Sequence, residues 1–178
     1  MATTGPQLQT LLQDAALAGD WTLDASRSTI GLRSKSMWGL VSVKGAFREF
    51  SGKGTVSPQG EVRGTITVAS ASVDTKNARR DKHLRSDDFF SSDTHRDITF
   101  TVDGIKPSGD GVTVSGTLQV RDKTKPLSFD ATVAASGEGE VAFDAQLPVN
   151  RADFGLTWSQ MGTSVHNTIT VHAVFTRS

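Results

Sequence analysis

Val112-Thr113-Val114-Ser115-Gly116-Thr117-Leu118-Gln119-Val120-Arg121 is the stretch that decides the fold. Val112, Val114, Gly116, Leu118 and Val120 share one face, and the polar residues between them share the other. A period of two puts successive side chains on opposite faces of a strand, so this segment has one buried face and one wet face. The pattern recurs downstream. Leu127, Phe129, Ala131 and Val133 alternate with Ser128, Asp130 and Thr132. Val141, Phe143, Ala145, Leu147 and Val149 alternate with Ala142, Asp144 and Gln146, and Ile169, Val171, Ala173 and Phe175 with Thr170, His172 and Val174. Strands with one solvated face belong to antiparallel sheets.

Turn signals separate these runs: Pro107-Ser108-Gly109-Asp110-Gly111, Arg121-Asp122-Lys123-Thr124-Lys125-Pro126, and Ser136-Gly137-Glu138-Gly139. Upstream, strands are expected over Thr29 to Lys35, Val41 to Phe50, Gly52 to Ser57 and Glu61 to Asp74, with Ile98 to Ile105 after one long polar interruption. About eight strands joined mainly by hairpins predict an all-β, eight-stranded antiparallel up-and-down barrel, which leaves no open sheet edge. At that strand number the interior is either just filled by side chains or holds one small ligand. Small inward residues (Ala131, Ala145, Ala173, Gly116) lean toward an apolar lumen.

Residues Met1 to Asp20 read differently. Pro6 suits a first helical turn, Leu8, Leu11, Leu12 and Ala15 recur at helical spacing, and Gly19 offers a stop. The expected organisation is an N-terminal amphipathic helical extension over 1–20 and one barrel domain over 21–178. Residues 1–20 lack the basic start and unbroken apolar stretch of an export signal, so a cytoplasmic location is expected. The leucine face has no basic flank and is too small to anchor a membrane stably. It is expected to bury against the barrel or a second subunit.

Composition narrows the function classes. The 178 residues carry 19 Lys plus Arg and 19 Asp plus Glu, so the basic excess of a phosphate-neutralising nucleic-acid binder is missing. No cysteine occurs, which excludes disulfides, thiol nucleophiles, iron–sulfur clusters and thiolate zinc sites. Nine Phe and three Trp against no Tyr make the aromatic surface one without hydroxyls, suited to a greasy enclosure. No nucleophile elbow, dinucleotide fingerprint or phosphate-binding loop is present. His83, His95, Asp87, Asp88 and Asp93 fit no metal-ligand spacing, so no metal and no cofactor are expected.

Residues 77–90 pack both charge signs, a His and the Phe89-Phe90 pair into one interruption, where Leu84 fits a short helical turn. Arg80, His83 and Arg85 are candidates for a cationic mouth, because guanidinium forks suit phosphate or carboxylate oxygens. The alternative is a self-neutralising cluster with Asp81, Asp87 and Asp88. Lys35, Met37 and Trp38 suit either a flexible pocket rim or a barrel plug. Arg151 and Asp153 are expected to hold a turn, with Gly155 at positive φ.

From Trp21 to Arg177 the chain resembles the YceI-like family of lipocalin-fold, polyisoprenoid-binding proteins. The resemblance rests on Trp21-Thr22-Leu23-Asp24, Val43-Lys44-Gly45-Ala46-Phe47, and Asp74-Thr75 leading to Arg80-Asp81, His83-Leu84-Arg85 and Asp88-Phe89-Phe90. Ile98-Thr99-Phe100, Thr124-Lys125-Pro126 and Arg151, Asp153-Phe154-Gly155 follow in order. Ser36 stands where many members have a His, and Arg96-Asp97 where many have a Pro. The resemblance implies a lipocalin-like barrel, commonly dimeric, whose long apolar tunnel holds an isoprenoid-like tail with its polar head near the mouth.

The expected function is therefore binding, carriage or sequestration of a hydrophobic or amphiphilic small molecule, without catalysis and by a homodimer. The alternative is a cavity enzyme that cyclises or isomerises such a molecule. Expected ligand contacts are Lys35, Met37, Trp38, Phe47, Arg80, His83, Leu84, Phe89, Phe90, Phe100, Phe129, Phe143, Phe154, Trp158 and Phe175.

Overall fold

Trp21 is paired on both sides at once, with Arg177 on one neighbour and Gly54 on the other. That double pairing closes the sheet. The structure is a computed structural model and describes residues 3–136 and 139–178. In chain order the elements are α1 (Gly5–Gln13), β1 (Gly19–Leu23), β2 (Thr29–Ser36), β3 (Val41–Phe47), β4 (Phe50–Val56), β5 (Val62–Ala69) and β6 (Val73–Asp74). After these come α2 (Ala78–Arg85), β7 (Asp97–Ser108), β8 (Gly111–Val120), β9 (Lys123–Ser136), β10 (Glu140–Asn150) and β11 (His166–Arg177).

These segments form eight staves. β1 with β2, β3 with β4, and β5 with β6 are halves of three bent strands, each paired antiparallel to the next. β11 accepts both halves of the first: β1 at residues 175–177 and β2 at 168–172. The bend has a local cause. Asp24 accepts hydrogen bonds from Ser26 N (3.1 Å), Ser26 Oγ (2.6 Å) and Arg27 Nε (2.9 Å), which winds Ala25–Arg27 into a 3-10 turn. The Ser26 bonds, then the Arg27 bond, hold the Asp24 carboxyl below its usual range. The turn lies over Val174, which is buried although it stands on the outward face of its strand.

Inward residues are those the alternation named: Val112, Val114, Ala131, Val133, Val141 and Leu147 are buried, with Phe129, Phe143 and Phe175 half-buried beside them. Two turns are shorter than expected. Val120 pairs with Lys123, so Arg121 (φ 56°) and Asp122 make the whole connection, and Lys123 to Pro126 belong to β9. Ser108 pairs with Gly111 in the same way. The turn expected at Ser136-Gly137-Glu138-Gly139 falls in part outside the described residues.

The N-terminal helix is also shorter than expected. Thr4 and Gln7 form a capping box, Thr4 N donating to Gln7 Oε1 at 2.9 Å, and the helix ends at Gln13. Ala15 at φ 56° turns the chain well before Gly19, which together with Asp20 already belongs to β1. Leu17, not Ala15, therefore completes the buried face with Leu8, while Ala15 is exposed. Trp21 Nε1 donates to Leu17 O at 2.9 Å and fixes this segment across one end of the barrel.

Candidate functional site

The inward faces do not meet at the barrel axis. They enclose a cavity of about 510 Å³, within the range of about 300–1,000 Å³ typical of small-molecule sites. Its walls are predominantly apolar. α1 and the turn after it close one end through Leu8, Leu12 and Leu17. Gly54, opposite Trp21 on one side and Gly64 on the other, borders the lumen together with Gly64, and the lumen reaches the backbone there. Sequence reasoning passed over this pair. Glycine inside an alternating strand is the signal that marks it.

The other small positions divide. Ala131 and Ala173 border the cavity, whereas Ala145 does not. Gly116 is buried but adds no space to the lumen. A Cβ there would collide with Thr101 O and lie 2.9 Å from Phe100 Cζ. It is glycine because β7 crowds β8 beside the register shift between Val102 and Gly104.

Lys53, Thr55, Arg63 and Thr65 border the cavity beside the Gly54–Gly64 pair, and the end opposite α1 carries Thr75, Arg80, His83 and Arg151. Asn77 caps α2 by accepting from Arg80 N at 3.0 Å, which sets the helix against β6. Buried Asp81 accepts from Thr75 N (2.9 Å) and Thr75 Oγ1 (2.6 Å). Thr75 Oγ1, its own hydrogen given to Asp81, accepts from Arg80 Nε at 2.8 Å, and Thr75 O accepts from Arg80 Nη2 at 2.9 Å. Arg80 is thereby held along the cavity wall by neutral oxygens, with no carboxylate among the described residues paired to it.

His83 stands edge-on to Trp158 (4.5 Å between centroids) and Phe89 (5.1 Å), its Nε2 hydrogen-bonded to Asp88 at 2.8 Å. Asp87 accepts from Ser91 Oγ. Of the expected self-neutralising cluster, the His83–Asp88 pair forms, while Asp81 and Asp87 accept from Thr75 and Ser91 instead of pairing with Arg80. Arg85 does not border the cavity.

Arg151 is buried. It donates to Leu156 O at 2.7 Å and to Ser164 O at 3.1 and 3.2 Å, and burial pushes its pKa below the ordinary arginine value. It holds the turn as expected, with Gly155 at φ 79°, but without Asp153, which is exposed. It also borders the lumen, a placement the sequence did not suggest.

Of the expected ligand contacts, Lys35, Phe47, Arg80, His83, Leu84, Phe89, Phe90, Phe100, Phe129, Phe143, Phe154, Trp158 and Phe175 all border this one cavity. Met37 and Trp38 do not. Both adopt left-handed backbone (φ 49° and 56°), and their N–H groups donate to Met161 O (2.9 Å) and Gly162 O (3.3 Å). That geometry turns the side chains outward, leaving Trp38 77% exposed. Among the described residues no cluster of His, Asp and Glu is arranged to hold a metal ion, and no helix is long and apolar enough to cross a membrane.

A closed antiparallel barrel with an apolar lumen and one polar end defines a lipocalin-like class of protein. Within it, the chain belongs to the YceI-like family: the YceI-like domain model matches residues 21–176. A UPF0312 protein of Serratia proteamaculans is 31% identical over 164 residues, covering 87% of this chain and 84% of its own. Protein YceI of Escherichia coli is 28% identical over 151 residues, 80% of this chain and 78% of its own. Burkholderia cenocepacia BcnA, known from a crystal structure, superposes with a TM-score of 0.77 at 25% identity, covering 85% of this chain and 98% of its own. A polyisoprenoid binding domain from Saccharophagus degradans, implicated in plant cell wall breakdown, shares the fold at 19% identity and a TM-score of 0.70, over 89% of this chain and 98% of its own.

Proposed function

We propose that this protein binds an amphiphilic small molecule, with its apolar body in the lumen and an anionic head beside Arg80 and Arg151, and carries or sequesters it unchanged. The observation behind this reading is an apolar cavity that ends at two guanidinium groups, both hydrogen-bonded to neutral oxygens. Each buried methylene contributes about 0.8 kcal/mol, so the tail supplies affinity. A charge-assisted hydrogen bond adds about 1.5–3 kcal/mol and fixes which end faces out. The shared fold with a polyisoprenoid binding domain from Saccharophagus degradans is in keeping with a tail of isoprenoid type.

The test is uptake of a fluorescent prenyl phosphate by the wild type and by Ala173→Phe, whose added ring projects into the lumen. The variant is expected to take up the probe at least about tenfold less well, a difference of 1.4 kcal/mol or more, while its melting stays cooperative. Undiminished uptake by the folded variant, or chemical conversion of the probe by the wild type, overturns the reading.

A further inference from the structure

The tips of two connections at the polar end of the barrel carry an apolar surface that faces solvent. Met37 (42% exposed), Trp38 (77%), Leu40 (83%) and Val41 (39%) lie on or beside the β2–β3 turn, and Met161 (66%) lies on the segment before β11. They form one patch. Met37 N and Trp38 N donate to Met161 O and Gly162 O, and the Trp38 ring covers Gly162 so closely that a Cβ there would lie 2.7 Å from Trp38 Cδ2. Met37, Trp38 and Met161 all adopt left-handed backbone, a conformation L-residues avoid and one that here presents three large apolar side chains outward. The patch adjoins the cavity, because Ser36 and Thr163, its immediate chain neighbours, border the lumen.

The charge of the surrounding face is one-sided. No Asp or Glu occurs from Ala25 to Phe47 or from Phe154 to Ser178. Arg33 and Lys44 are directly opposite each other across β2 and β3, both exposed, and Lys35, exposed two residues further along β2, also reaches the rim of the lumen. Like charges at opposed positions destabilise a sheet unless something negative lies over them. The ion pairs of the neighbouring region do not supply it, since Asp74 is taken by Arg48 and Lys76.

We infer that this end of the barrel docks reversibly on an anionic lipid surface, the 37–41 turn and Met161 entering the interfacial layer while Arg33, Lys35 and Lys44 meet the head groups. Loop-borne Trp, Leu and Met suit the apolar side of that interface, and a cluster of basic residues suits its charge. Docking at this end sets the lumen's mouth against the bilayer. This surface is separate from α1, whose leucine face is buried within the barrel, and docking does not depend on the cavity being filled.

The experiment is co-sedimentation of the full chain with phosphatidylcholine vesicles with and without phosphatidylglycerol, read alongside tryptophan emission. The wild type should partition onto the phosphatidylglycerol vesicles, more weakly as salt is raised, with a blue shift that disappears in Trp38→Phe. The double variants Trp38→Ser/Leu40→Ser and Arg33→Gln/Lys44→Gln should each lower partitioning at least about tenfold, with melting not lowered, because the altered groups are exposed and the second pair relieves a like-charge contact. Ala173→Phe should still bind vesicles, so failure of docking and failure of the cavity reading are told apart. No partitioning by the wild type, undiminished partitioning by both double variants, or a doubled mass that requires the patch in place of vesicle binding overturns the inference.

Discussion

The Arg151 guanidinium lies 5.2 Å from the centroid of the Phe89 ring, and its three nitrogens donate to the carbonyls of Leu156 and Ser164. One side chain thus ties the segment before β11 to the wall of the lumen. Replacing it by Met keeps the apolar length and removes every donor. Each of the two carbonyls left without a partner costs about 1–3 kcal/mol, so Arg151→Met should lose about 2–6 kcal/mol in urea unfolding. Arg151→Ala loses the ring contact as well and should be no more stable. A midpoint for Arg151→Met within error of the wild type would count against this role.

Arg80 is oriented through Thr75, which Asp81 orients in turn. If Arg80 meets an anionic head, Arg80→Gln should weaken binding of a prenyl phosphate about tenfold, the worth of one charge-assisted hydrogen bond. The matched prenyl alcohol should bind nearly as before. The phosphate preference of the wild type should shrink as salt rises, since the mouth is open to screening. Equal losses for both probes would assign Arg80 to holding α2 against β6 and nothing more.

The strands were legible because each keeps one apolar and one wet face over its length. The alternation placed Val112, Ala131, Val141 and Ala173 inward, where they are. The three bends were not legible. Ser28 Oγ reaches Val174 N, and Ser70 Oγ reaches His95 O, partners 146 and 25 residues away that no local pattern contains. The aromatic lining followed from periodicity and family likeness together. Met37 and Trp38 were misplaced because backbone conformation, which residue type does not report there, decides whether a tip folds in or out. Arg151 looked like a turn-holder, which it is. Its second face, on the lumen, depends on how β10 and β11 close around Phe89.

Gly116 on β8 and Gly104 on the neighbouring β7 offer a matched comparison. A Cβ at Gly116 would meet the Thr101 backbone, and backbone cannot step aside as a side-chain end does; nothing lies within 4 Å of a Cβ at Gly104. Gly116→Ala should therefore cost more than about 2 kcal/mol through forced separation of β7 and β8. Gly104→Ala should fall within about 0.5 kcal/mol of the wild type. Thermal melts of the two variants side by side check the difference, and similar midpoints would mean that the barrel yields at that crossing.

The last prediction concerns the closed end. Leu8 and Leu17 are buried, Leu12 lines the lumen, Thr3 N donates to Val133 O, and Ala135 N donates to Thr3 Oγ1 at 2.8 Å. α1 is thus both a stabilising cover and a lid. Full burial of one leucine contributes about 1.5–3 kcal/mol, so deleting residues 1–17 should remove about 3–6 kcal/mol from Leu8 and Leu17 alone, less what the open end recovers by relaxing. Trp21 Nε1 also loses its acceptor, so its emission should shift to the red as water reaches it. Removing the cover opens a second route from the lumen, and a bound prenyl probe should leave faster than from the full chain. The two effects separate in Leu12→Ala, which thins the lid while keeping Leu8 and Leu17 in place: release should quicken more than melting falls. A truncated chain with unchanged melting and unchanged release would show that the barrel closes this end without α1.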